Sequence, residues 1–217
     1  MDHSTQYILL WDVDGTIVHP VSSHDLFHAV SMEFGGVAPT IKPKKAGKTD
    51  SRIAQEYLLE YGIKDIQINQ FVDALNKLSD EFYSNHQMMQ VEGITNALQQ
   101  AFDIGWHNKL YTGNTSSRAI GKLKSANVPL EIINTEESYF LGEYPSRLEG
   151  VNSIITQGYA EIIVIGDTSY DYEIAKSLDC SFWFVGQGNQ GVKQIGQSPN
   201  FIDIKSFQSV ISGLYFK

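Results

Sequence analysis

In the stretch YILLWDVDGTIVH, residues 7 to 19, two carboxylates stand two positions apart at the end of an apolar run, and Gly15 and Thr16 follow at once. Acids this close repel one another, and at the end of a buried strand they also lose hydration. Asp167 and Asp171 occur in GDTSYD after a second apolar run, and TGN, residues 112 to 114, follows a third. If the three runs are neighbouring parallel strands, their carboxyl ends open onto one crevice. Asp12, Asp14, Asp167 and Asp171 then meet there, and four carboxylates together require a cation. An incomplete cage of hard oxygen ligands favours Mg2+ over Ca2+. The same crevice gathers donors to an oxyanion: the Thr112 hydroxyl, backbone amides around Gly113 and Asn114, and Arg147 as a candidate cation. Together these groups suit a phosphoryl centre.

The elements that must position these residues show in the hydrophobic pattern. Tyr7 to Trp11 is a continuous apolar run without alternation, the mark of a strand buried on both faces of a parallel sheet. Comparable runs end at Thr112, Asp167 and Gly186, NFIDI lies near the C-terminus, and the short EII at 131 to 133 is a further candidate. Thr115 or Ser116 caps a helix carrying Ala119, Ile120 and Leu123 that stops near Asn127, and another begins near Ser169 with Ile174, Ala175 and Leu178 on one side. Strands alternating with helices predict an α/β fold, doubly wound around a mostly parallel sheet with helices on both faces. Residues 20 to 86 break the alternation: SHDLFHAVSMEFGG, DSRIAQEYLLEYG and NQFVDALNKLSDEFYSNH read as three helices with no strand between them. The expected organisation is an α/β core from residues 1–19 and 87–217 and a helical insert over 20–86.

Composition narrows the function classes. The 217 residues, 42% of them hydrophobic, are enough for a sizeable core. A formal charge of -9, from 25 acidic and 16 basic residues, opposes a general affinity for nucleic acid. The single Cys180 permits no intrachain disulfide and reads as a buried thiol. An N-terminus without a basic start, and apolar runs far shorter than a membrane span, predict a soluble, cytoplasmic protein.

DVDGT, LYTGN, an upstream basic residue and GDTSYD, in this order, resemble the haloacid dehalogenase superfamily of phosphatases and phosphotransferases. The motifs run from residue 12 to 171, and the helical insert looks like that superfamily's cap, with phosphoglycolate phosphatases as the nearest pattern. The resemblance implies Asp12 as the nucleophile that forms an aspartyl phosphate and Asp14 as the general acid that later activates water. It implies Mg2+ held by the Asp12 side chain, the Asp14 backbone carbonyl and Asp167, with Asp171 acting through water or by orienting its neighbours. Where that pattern usually has Lys at the third motif, GEYPSRLEGV offers Arg147, and Lys122 and Lys124 are rivals for the position. A cap loop, here Gly47 to Asp50, closes over the core site in similar phosphatases, so Lys48 or Arg52 is a candidate to meet a carboxylate or second phosphate on the substrate.

Other patterns carry less. As a calcium loop DVDGT would need Gly and Glu where Ile17 and Ser23 stand. GQGNQG, residues 186 to 191, matches a dinucleotide fingerprint, but too little chain follows for a full βαβ unit, and a loop at the site rim is expected. AGKTD fails as a P-loop because residue 42 is Lys. His19, His24 and His28 invite a zinc reading but lack an acidic third partner at the right spacing. The expected protein is a magnesium-dependent phosphatase acting on a small phosphorylated metabolite, as a monomer or homodimer. A phosphomutase of the same superfamily, which would pass the phosphoryl group to a sugar, and a non-enzymatic phosphate-sensing module are the alternatives.

Overall fold

Strand β1 (Tyr7–Trp11) lies at the centre of a five-stranded sheet, paired in parallel with β2 (His107–Thr112) on one side and β4 (Glu161–Gly166) on the other. Strands β3 (Tyr139–Phe140) and β5 (Ser181–Phe184) complete the order β3-β2-β1-β4-β5, every pairing parallel. This is a computed structural model, and it describes residues 7–20, 24–151, 154, 159 and 161–185. Between the strands run α1 (Leu26–Glu33), α2 (Asp50–Glu60), α3 (Ile68–Asn85), α4 (Ile94–Asp103), α5 (Ser116–Ser125), α6 (Arg147–Val151) and α7 (Ser169–Ser177).

The unalternating strand sequences find their reason in two cores. Leu9, Trp11, Leu110, Ile163 and Ile165 project to one face of the sheet and pack with α4 and α5, whereas Ile8, Leu10, Tyr111, Ile162 and Val164 project to the other with Ile174 and Ala175 of α7. Period-two alternation thus fills both sides. The expected doubly wound sheet is present. Its chain order turns back between β1 and β4, and the crevice at such a switch point is where open α/β sheets take ligands.

Helices α1 to α3 follow β1 without an intervening strand and share a third apolar cluster that includes Phe27, Val30, Ile53, Tyr57, Phe71 and Leu75. Thr49 caps α2, accepting from Arg52 N, and Asp25 caps α1, accepting from His28 N. The segment lies close on the sheet end of the molecule: Asp50 N donates to Gly113 O at 2.8 Å and Ser51 N to Gly142 O at 2.8 Å. A Cβ on Gly113 would run into the Lys48 carbonyl oxygen, and one on Gly47 into the Tyr170 ring.

One strand expectation is corrected. EII is not a strand: Leu130–Ile132 wind into a 3-10 turn after Pro129, with Ile132 and Ile133 buried in the core, and the strand beyond β2 is Tyr139–Phe140. Three apolar residues behind a proline satisfy their burial as readily in a tight turn as in a strand. NFIDI and GQGNQG lie outside the described residues. No helix among the described residues is long and apolar enough to cross a membrane.

Candidate active site

Asp12 follows β1 directly, its amide bonded to Ile165 O at 2.9 Å, so the central strand delivers this carboxylate to the switch point. It is 1% exposed. Asp167 follows β4 on one side. Asp171 sits in the first turn of α7, where a capping box holds it: the Thr168 amide and hydroxyl donate to Asp171 Oδ2 at 3.0 and 2.6 Å. One oxygen from each of Asp12, Asp167 and Asp171 falls within 4.8 Å of the others.

Among the described residues, one cation is ion-paired with these acids. Arg147, at the start of α6, places Nη1 2.7 Å from Asp171 Oδ1 and Nη2 3.3 Å from Asp12 Oδ1, with its guanidinium 5.7 Å from the Tyr111 ring centre. Burial, then Asp171, Asp167 and Asp14, push the Asp12 carboxyl well above its ordinary range against the pull of Arg147. Burial and Asp171 likewise push Asp167 up to about 7. Buried oxygens Asp12 Oδ1 and Asp167 Oδ1 have no hydrogen-bond partner among the described residues. Gly15, at φ +87, brings its backbone so near Asp167 that a Cβ would overlap the carboxylate. Under-compensated hard oxygens in a dry cradle fit a divalent cation such as Mg2+.

Asp14 stands apart from this cluster. Lys122 of α5 donates to Asp14 Oδ2 at 2.5 Å and to Asn114 Oδ1 at 2.7 Å. Burial would raise the Asp14 carboxyl, but the Lys122 ammonium, supported by Arg118 and Asn114, outweighs it and holds the group below its ordinary range. Thr112 is buried at the end of β2, its hydroxyl accepting from Asn114 N at 3.3 Å, and the Gly113 carbonyl is taken by Asp50 N.

The three candidates for the third motif separate in space. Arg147 reaches Asp12 and Asp171, Lys122 reaches Asp14, and Lys124 is exposed on a different groove, beside His86. The two candidate basic residues of the helical segment, Lys48 and Arg52, do not converge on Asp12. Lys48 borders the cavity above the acids but is bonded to Glu56 at 2.6 Å; half-exposed Arg52 binds Glu56 at 3.1 Å and Gln55 at 3.0 Å and is not among the residues bordering that cavity. His24 borders it as well, whereas His28 is turned to the Tyr61 hydroxyl at 2.7 Å.

Sequence reasoning passed over Arg118. Its guanidinium is buried, paired with Asp50 Oδ1 of α2, bonded to Ser79 Oγ at 3.1 Å and set 5.0 Å from the Phe27 ring centre. Asp50 Oδ2 accepts from Thr115 N at 2.8 Å, so the pair ties α2 and α3 to the start of α5. The spacing held the signal: Arg118 and Lys122 stand four residues apart on one face of α5, with Asn114 four residues earlier, just ahead of the helix.

No family model matches the chain, and no curated protein matches it by sequence. Solved structures do match by fold. CbbY from Rhodobacter sphaeroides, crystallised with phosphate, superposes with a TM-score of 0.65 at 11% identity, over 91% of this chain and 93% of that one; CbbY has also been solved with xylulose-(1,5)bisphosphate. A predicted phosphoglycolate phosphatase from Haemophilus somnus gives 0.64 at 15% identity over 95% and 98% of the two chains. A haloacid dehalogenase-like family hydrolase from Streptococcus pneumoniae gives 0.54 at 17% identity over 99% of each. The chain therefore has the haloacid dehalogenase-like fold.

Proposed function

We propose that the protein is a magnesium-dependent phosphatase of the haloacid dehalogenase type acting on a small phosphomonoester, with residues 20–86 as a helical cap over a core formed by 1–19 and 87–217. The observation that carries this reading is the convergence of Asp12 with Asp167, Asp171 and Arg147 at the sheet's switch point. Asp12, Asp167 and the Asp14 carbonyl would hold Mg2+, with Asp171 orienting Arg147. When bound, the ion supplies positive charge to the phosphoryl oxygens.

Asp12 attacks phosphorus, the bond to the leaving oxygen breaks, and an aspartyl phosphate forms; water then attacks the same phosphorus and frees the carboxylate. Asp14 gives a proton to the leaving oxygen and takes one from the water. In its pairing with Lys122 it is the carboxylate, the form that accepts a proton. Donation therefore requires Asp14 first to take up a proton from solvent as Lys122 turns its charge to the phosphoryl oxygens beside Asn114. Thr112, Gly113, Asn114 and Arg147 bind the phosphoryl group. Phosphate release from phosphomonoesters, with Mg2+ or with chelator, for wild type and Asp12→Asn, tests the reading. Equal rates in wild type and variant would overturn it.

A further inference from the structure

We infer that the alcohol half of the substrate is uncharged and apolar, with an aromatic group the best fit; this rests on the phosphatase reading above. The cavity over Asp12 has a volume of about 350 Å³. Its floor is Asp12, Asn114 and Asp167, and among its charged neighbours six apolar or aromatic side chains line it: Leu26, Phe27, Ile53, Phe82, Tyr83 and Met88. Phe82 is itself part of an aromatic group, with the His24 ring 5.1 Å away. These aromatic and aliphatic surfaces reward an apolar guest.

Charge makes the same selection. Five cations border the cavity, and each already has a carboxylate: Lys45 with Asp25, Lys48 with Glu56, Arg118 with Asp50, Lys122 with Asp14, and Arg147 with Asp12 and Asp171. Asp25 is also met by Lys42 and Glu56 by Arg52, so among the described residues each cation at the cavity is already ion-paired and none stands free to draw a second anion. A substrate carboxylate or second phosphate would gain a cation here only by displacing one of these carboxylates. The pocket thus differs in preference from a bisphosphate or phospho-acid site.

The test compares benzyl phosphate with phosphoglycolate and a sugar bisphosphate under Mg2+, with acetyl phosphate as a small reference for phosphoryl transfer. We expect kcat/KM for benzyl phosphate to exceed that for phosphoglycolate by about ten-fold or more. Glu56→Gln, which frees Lys48, should raise kcat/KM for phosphoglycolate several-fold and narrow the ratio. Calorimetry of benzyl phosphate and phosphoglycolate binding to Asp12→Asn reads the same preference without turnover. Tighter binding or faster turnover of phosphoglycolate or the bisphosphate overturns the inference while leaving the phosphatase reading intact. Failure to hydrolyse any ester or acetyl phosphate overturns the phosphatase reading, and the calorimetric order still decides the inference.

Discussion

The floor of the cleft and its wall handle charge in opposite ways. On the floor, Asp12, Asp167 and Asp171 share one arginine, and two of them are held well above the ordinary carboxyl range. Along the wall, Asp14 has Lys122 and Asp50 has Arg118, each acid with its own cation. A compensated pair fixes structure; an uncompensated cluster keeps an appetite for a cation. The floor is therefore where a cation is expected, and on the wall the Asp50–Arg118 pair fastens the helical segment to α5.

The comparison breaks most sharply at Asp12. Asp12→Asn should lower the rate of phosphate release by about a thousand-fold or more, since it removes the attacking oxygen rather than a binding contact. On the wall the large effect falls on stability instead. Asp50→Asn leaves Arg118 buried without its counter-charge and should cost about 3–5 kcal/mol in urea unfolding, while pairing it with Arg118→Leu should recover part of the loss. A double change no less harmful than the sum of the singles would refute the coupling.

Cation binding sharpens the contrast. Raising Mg2+ to a hundred times its dissociation constant should stabilise the fold by about 2.7 kcal/mol, read as a higher melting temperature. Asp167→Asn should abolish most of that gain, whereas Lys122→Met should not.

The smallest effect concerns Asp25, which burial would raise but which the Tyr57 hydroxyl and Lys45 hold below its ordinary value. A depressed carboxyl stabilises the fold at pH above its unfolded value, near about 4, and loses that contribution as pH falls through the folded value. Asp25→Asn should thus be less stable than wild type by roughly 1 kcal/mol at neutral pH, with the gap closing towards pH 3. A gap that is constant from neutral to acid would exclude the ionised form as the source.

The sheet was legible because its strands are buried on both faces and so appear as unbroken apolar runs; Tyr7 to Trp11 has the bounds read from sequence. Strand β3 was not, because two residues carry no period, and EII competed with it on hydrophobicity alone. Asp12 and Asp167 on the floor were legible because each follows a strand directly, and Asp171 because it opens the helix after the second of them. Arg118 was hidden for a different reason: an arginine in a polar helix looks like a surface residue until α3 and the start of α2 close over it. The pairing of Lys48 with Glu56 is likewise a matter of side-chain choice, since Glu56 also takes Arg52 one helical turn away.

Gly113 sets the spacing between the two halves of the site. Because it lacks a side chain, the Lys48 backbone can lie flush against it. A single methyl group there would act as a wedge, prising the wall off its seat and admitting bulk water to Asp12, so the smallest residue in the TGN motif governs how dry the cleft can become.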